Sequence, residues 1–156
     1  MERISQYLAI MVLLVGVVGM VIGSIFIAQA VEKNNWMREA MQVEHVTLGL
    51  SEEQIAEGEV IDTAEEAQVA GDAIREHRRG IAATYNELLG GGPYDPTNPK
   101  HLSYAQALNM ENYLYLAVLS FGVTTVITGT GALMIIMGIA LGATGVVLLR
   151  LARKIS

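Results

Sequence analysis

The sequence predicts an all-α integral membrane protein, with two transmembrane helices and a small helical extracytoplasmic domain between them. Two uncharged runs carry most of that expectation: Leu8 to Ala28, and Asn112 to Leu149. A bilayer core about 30 Å thick is crossed by about 20 apolar residues at 1.5 Å of rise each. The third observation is the segment between the runs. Residues 32–112 are polar and acidic, and three capping-box patterns punctuate them. The divisions that follow are a first transmembrane helix over 4–31 and a domain over 32–112. An interfacial helix plus the second transmembrane helix occupies 113–149, with a basic tail at 150–156.

Composition narrows the function classes. Apolar residues make up 52% of 156 positions, and mean hydropathy is positive, as for an integral membrane protein. There is no cysteine, so disulfides, thiolate metal sites and cysteine nucleophiles are excluded. Residues 32–112 hold 15 acids and 6 Lys/Arg, a charge of −9. An acidic domain without a basic stripe does not bind nucleic acid. Arg150, Arg153 and Lys154 form the stronger basic flank, because Glu2 offsets Arg3. Basic flanks stay in the cytoplasm. Both termini are then expected inside the plasma membrane and residues 32–112 outside. Ala28-Gln29-Ala30 resembles a signal-cleavage site, but the apolar run exceeds a signal core of about 7–15 residues and reads as an uncleaved anchor.

The first helix is expected to begin near Ile4 and to continue through Glu32–Val46, with Trp36, Met37, Ala40 and Met41 at helical spacing. Trp36 falls one to two turns past the span, at headgroup depth. Leu48-Gly49-Leu50 breaks the pattern. Ser51-Glu52-Glu53-Gln54 opens a short helix over 51–57. Thr63-Ala64-Glu65-Glu66 opens a second over 63–89, ended by Gly90-Gly91-Gly92. Its stripe is Ala67, Ala70, Ile74, His77, Ile81, Tyr85 and Leu88. Ile74, Ile81, Tyr85 and Leu88 are expected inside, and Arg75, Arg78 and Arg79 outside. Pro93 to Pro99 holds all three prolines and reads as a non-helical loop. Ser103-Tyr104-Ala105-Gln106 is expected to start a third helix over 103–119. Tyr113 to Leu149 would measure about 55 Å as straight helix. The expected span is therefore about Thr128 to Leu149, with a bend near Ser120-Phe121-Gly122. A re-entrant hairpin turning at Gly129-Thr130-Gly131 is the alternative.

Candidate functional residues are few. Gly19 and Gly23 form a GxxxG on the first span, and Gly138 and Gly142 another on the second. Small residues let backbones approach in lipid, so these four are the expected helix-packing positions, within one chain or between chains. Gly16 lies off the motif and is expected to matter less. Thr124, Thr125, Thr128 and Thr130 are expected to bond their own preceding carbonyls. No ionisable residue lies in either span core, which argues against a pump. His45, His77 and His101 fall on separate segments without metal-ligand spacing. No catalytic, cofactor-binding or metal residue is therefore expected, and no cofactor. Glu76-His77-Arg78-Arg79 reads as a solvated, internally paired patch. Trp36, Tyr94, Asp95 and His101 are the candidate interaction surface.

The chain also resembles a family of uncharacterised two-span bacterial membrane proteins of actinobacterial type. The resemblance rests on Arg38-Glu39-Ala40, Asp62-Thr63-Ala64-Glu65-Glu66-Ala67, Tyr94-Asp95-Pro96-Thr97-Asn98-Pro99, and Gly122 through Gly131. It implies the two-span topology. Some relatives carry an aromatic ring-opening dioxygenase label, but no iron-ligand set is recognisable here, so no catalytic residue is implied. The expected role is a non-enzymatic membrane accessory or scaffold protein. Membrane lipid, a homo-oligomer or a membrane-protein partner are its expected contacts. A ligand-binding or sensing module acting through a partner is the alternative, and a metal-dependent enzyme ranks third.

Overall fold

The structure, a computed structural model, describes residues 2–154 other than Leu48; for Glu2 and Arg3 it describes the backbone alone. Expectations that fall on Leu48, Ile155 and Ser156 lie outside the described residues. Among the described residues there are five helices and no strand. They are α1 (Glu2–Val43), α2 (Glu52–Ala56), α3 (Ala64–Ile81), α4 (Tyr85–Leu89) and α5 (Pro99–Lys154). The chain is thus all-α, and α1 and α5 are each long and apolar enough to cross a membrane. It divides into two compact units, Met1–Lys33 with Thr124–Ser156, and Asn34–Val123.

In the first unit, the buried residues fall on two rows. On α1 they are Ala9, Gly16, Gly23 and Ala30; on α5 they are Thr124, Gly131, Gly138, Gly145 and Ala152. No other described residue of this unit is buried. Both rows step by seven, the repeat that keeps one seam facing a partner helix. The two segments pair antiparallel, and so closely that a methyl group would not fit. A Cβ on Gly16 would lie 2.7 Å from both the Gly138 carbonyl oxygen and the Gly142 nitrogen. On Gly23 it would lie 2.6 Å from the Gly131 oxygen, and on Gly145 2.8 Å from Leu13 Cβ.

All four GxxxG glycines lie at this contact, Gly142 through its backbone against Gly16, but they are confined unequally. Gly23 and Gly138 are at tight contacts, but Gly19 has ordinary room, its nearest neighbour being the Met134 oxygen at 3.6 Å. A Cβ on Gly142 would meet nothing within 4 Å. Gly16, expected to matter less, is among the most confined. The reason is periodicity. A four-residue spacing does not hold one face over several turns, whereas seven residues make nearly two whole turns. Many of the other apolar side chains of both segments, such as Leu14, Val18, Ile136 and Ile139, are exposed.

In the second unit, local capping sets the elements. Ser51 Oγ accepts the Gln54 N–H (3.3 Å) while Gln54 Oε1 accepts the Ser51 N–H (3.0 Å), starting α2 as expected. Thr63 and Glu66 do the same for α3. The expected 63–89 helix is two helices, because Ala82 is extended (φ −156°, ψ 139°). Thr84-Tyr85-Asn86-Glu87 is a further capping sequence that the stripe obscured. Thr84 Oγ1 accepts the Glu87 N–H (3.2 Å), and Glu87 Oε2 accepts the Ala83 N–H (3.1 Å). Gly90 in the left-handed conformation (φ 56°) ends α4.

The long helix α5 starts earlier than Ser103. Pro99 is its first residue, where a missing N–H costs nothing. Asn98 Oδ1 accepts the Lys100 N–H at 3.0 Å. Helix continues unbroken through Ser120-Phe121-Gly122 and through Gly129-Thr130-Gly131, which removes the hairpin alternative. Thr128 and Thr130 do bond the carbonyls four residues back.

The apolar core of this unit gathers Ile61, Ala67, Ala70 and Leu114, against which Met41, Val46, Leu50 and Ile74 pack. Ile61 is fully buried, worth about 1.5–3 kcal/mol for such a side chain. A second cluster joins Ala82, Leu88 and Tyr104.

Candidate functional site: an apolar cleft flanked by charged staples

Helix α3 buries a different face from the one its apolar residues suggest. From Ala67, steps of 3.6 residues reach Ala70–Gly71, Ile74 and then Arg78, not His77. His77 is exposed, and the Arg78 side chain is only 11% exposed. Arg78 Nε donates to Glu111 Oε2 at 2.6 Å, and its Nη1 donates to the Tyr104 hydroxyl. Glu111 is itself 7% exposed and Tyr104 2%. The Glu111 hydrogen bond pushes the Arg78 guanidinium further up from its ordinary value, outweighing the cost of burial. The expectation of an exposed Arg78 is therefore corrected: a charge sits on the inward face because a carboxylate on α5 meets it. Arg79 is exposed as expected, and Arg75 is half-buried. Tyr85 is also corrected. It is 47% exposed, because the break at Ala82 turns it off the α3 stripe.

One turn from Arg78, a second staple joins the same helices. The Tyr115 hydroxyl donates to Asp72 Oδ1 at 2.6 Å, and Arg75 bridges to the same oxygen at 2.7 Å. The Tyr115 hydrogen bond, then that of Gln68, holds the Asp72 carboxyl below the usual range, against partial burial. Gly71 leaves room for the Tyr115 ring, which a Cβ would meet at 3.1 Å. At Glu66, burial works to raise the carboxyl, but hydrogen bonds from Asp62 and Thr63 outweigh it and the net shift is downward.

A cleft of about 800 Å³ lies within this unit. Trp36, Met37, Ala40, Met41, Glu44 and Val46 form one side. Gln106, Asn109, Met110, Tyr113, Leu114, Leu116, Ala117 and Ser120 form the other. Residues 36, 37, 40 and 41 are one face of α1, Glu44 follows in the turn after it, and 106, 109, 110, 113, 117 and 120 are one face of α5. Met41, Val46, Leu114 and Ala117 belong to both the cleft and the core, so the core supplies its floor. Trp36 (66%), Met110 (47%), Tyr113 (72%) and Leu116 (55%) are large apolar side chains left in the open. Among the described lining residues only Glu44 is charged, and Ser120 spends its hydroxyl on the Leu116 carbonyl at 2.8 Å. Chemically, the lining offers apolar contact with three adaptable methionines. A carboxylate and two amides supply its polar points.

The four surface candidates separate. Trp36 lines the cleft. Tyr94, Asp95 and His101 instead close the proline loop. His101 is buried, 8% exposed. Its Nδ1 accepts the Asp95 N–H at 3.0 Å, and its Nε2 faces the Leu88 carbonyl at 3.1 Å. Those two contacts require the neutral tautomer with the proton on Nε2. Tyr94 stacks on its ring at 5.6 Å between centroids. Asp95 is held below the usual carboxylate range by the Thr97 hydroxyl and N–H. His45 and His77 are exposed, and among the described residues no three His, Asp or Glu side chains gather as a metal site would need.

The α1 side of the cleft was visible in the sequence as the Trp36, Met37, Ala40, Met41 stripe. Met110, Tyr113 and Ala117 were not identified as its counterpart, since no local signal says which face of α5 turns toward α1. In comparisons with known proteins, no family model, curated protein or solved structure matches this chain.

Proposed function

We propose that this is a non-enzymatic accessory protein of the plasma membrane, anchored by α1 and α5, whose domain binds an apolar ligand or partner segment in the cleft. The cleft is the observation that carries the reading. A contiguous recess of large exposed apolar side chains is the usual mark of a binding site on a small domain. The volume falls in the range of about 300–1,000 Å³ typical of ligand sites. The glycine contacts lie within one chain, which favours a folding role for them and shifts the binding role to the domain. The basic flank at Arg150, Arg153 and Lys154 supports cytoplasmic termini and an extracytoplasmic domain. The two-span pattern also supports the resemblance to the actinobacterial-type family, from which no chemistry is taken.

The absence of cysteine makes one experiment test both halves of this reading. Single variants Met110→Cys, in the cleft, and Ala83→Cys, exposed elsewhere in the domain, are treated in intact cells with a membrane-impermeant thiol reagent. Ala83→Cys should be labelled from outside, and Met110→Cys should be protected relative to the same protein stripped in detergent. No labelling of either variant until the cells are opened would sink the topology. Equal labelling of Met110→Cys in cells and in detergent would sink the binding role.

A further inference from the structure

We propose that the proline loop is an acid-released latch: neutral His101 holds the loop against α4 and α5, and protonation of its ring lets the loop go. The latch does not depend on what fills the cleft.

Its two sides respond differently to a proton. On the loop side, His101 Nδ1 accepts the Asp95 N–H at 3.0 Å, and the Tyr94 ring stacks on the imidazole. On the α4 side, Nε2 donates to the Leu88 carbonyl at 3.1 Å. The ring is buried, so these two contacts and not water satisfy its nitrogens. An added proton goes to Nδ1, the nitrogen without a hydrogen, and two N–H donors then point at each other. The Nε2 bond survives, because a charged ring still donates there. Protonation therefore breaks the loop side and spares the α4 side. His101 is also the third residue of α5, where the unpaired amides of a helix start disfavour a cation.

The charges around the ring do not rescue the contact. Asp95 attracts an imidazolium, yet its carboxylate is exposed, and its Oδ1 already accepts the Thr97 N–H and hydroxyl at 2.8 and 2.7 Å. Turning to His101 would give up that turn. On α4, the Glu87 carboxylate is committed to the Ala83 N–H. On α5, Lys100 is exposed and adds positive charge, and the Tyr104 hydroxyl accepts from Arg78 of α3. An exposed carboxylate acting through water counts for less than a buried donor set against a donor. A latch that accepts only the neutral ring is strongest where the ring is neutral and weakens as acid protonates it.

The test follows the full chain in micelles by NMR at about pH 7.5 and about pH 5.5, on either side of ordinary histidine titration. Amide hydrogen exchange, corrected for its intrinsic pH dependence, reads the latch, and the ring signals of labelled histidine read protonation. Protection of the Asp95 amide should fall about fivefold at the lower value, equivalent to about 1 kcal/mol. The fall should track the His101 ring and leave α4 and residues 67–74 of α3 unchanged. His101→Asn keeps an acceptor near the Nδ1 position and takes no proton, so its Asp95 amide should be equally protected at both values. Should that variant misfold, Asp95→Asn keeps the Oδ1 acceptor but removes the charge that favours a protonated ring, and must deepen the fall.

Equal protection of the Asp95 amide at both values in the wild type would overturn the latch, whether or not the ring had taken its proton. So would a fall that persists in folded His101→Asn, because a carboxyl would then be its cause. A fall shared by α4 and α3 would be general acid unfolding, and the proposal would fail.

Discussion

Between α1 and α5 in the span pair, contact is made by what the residues lack. Gly16, Gly23, Gly131, Gly138 and Gly145 bring main chain against main chain at distances no side chain tolerates. Between α3 and α5 in the domain, contact is made by long charged groups: Arg78 to Glu111 and Tyr104, and Asp72 to Arg75 and Tyr115. The difference follows from the medium each region suits. Lipid tails are as apolar as leucine, so helices gain little by hiding leucine from them and gain instead from close van der Waals approach. In water, burial of apolar surface drives association without direction. A partnered charge on the inward face then sets which helix faces meet, because any other register strands it.

The comparison breaks first at the glycines. Gly138→Leu should separate the span pair, costing more than about 3 kcal/mol, beyond the usual overpacking range because backbone itself is struck. Gly142→Ala should stay within about 0.5 kcal/mol of the wild type. Unfolding in mixed micelles, followed by energy transfer between labels on the two segments, measures both. Similar losses for the two would mean that the seven-residue seam is not the contact.

The staple should be next in size. Arg78→Ala leaves Glu111 buried and unpartnered, and should cost about 3 kcal/mol, the lower end for breaking a buried ion pair. The double variant Arg78→Met with Glu111→Leu should recover most of it. A double variant no more stable than the single would show that the pair contributes attraction rather than register. Thr84→Ala should cost about 1 kcal/mol by removing the cap of α4. Loss of hydrogen-exchange protection should then be confined to residues near 82–92, and spread into α3 would mean that α3 and α4 unfold as one.

Acid should produce the smallest effect and should touch the domain alone. Glu66, Asp72 and Asp95 are all held below their ordinary values of 4.5, 3.8 and 3.8. A depressed carboxyl stabilises the fold above its unfolded value, and that contribution is lost as pH falls through its folded value. The contribution of these carboxyls to domain stability should therefore be level near neutrality and decline below about pH 4.5, with the span pair unchanged. An Asp72→Asn variant whose acid decline matched the wild type's would contradict this assignment.

Much of the chain was legible because it depends on near neighbours. Ser51 and Thr63 cap the helices that their sequences announce, and Gly90 closes α4. Thr84 carries the same kind of cap signal, but an apolar stripe continues across it and masks the break. Pro99 ends the proline loop and also begins α5, because a proline at the first helical position starts a helix as well as it breaks one. The candidate site was legible on one side only, since Trp36, Met37, Ala40 and Met41 follow from the period of α1 but their partners on α5 do not.

The amino-acid sequence by itself determined the helical class, the two long apolar helices and most caps, because hydrophobic run length, side-chain period and cap chemistry act over a few residues. Only the tertiary structure decided that the glycines meet every seventh residue, that Arg78 turns inward, and that Tyr113 and Met110 face Met37 across a cleft. Those outcomes depend on which faces of distant helices meet. A residue's own neighbours in the chain carry no record of the partner that will stand 30 or 100 positions away.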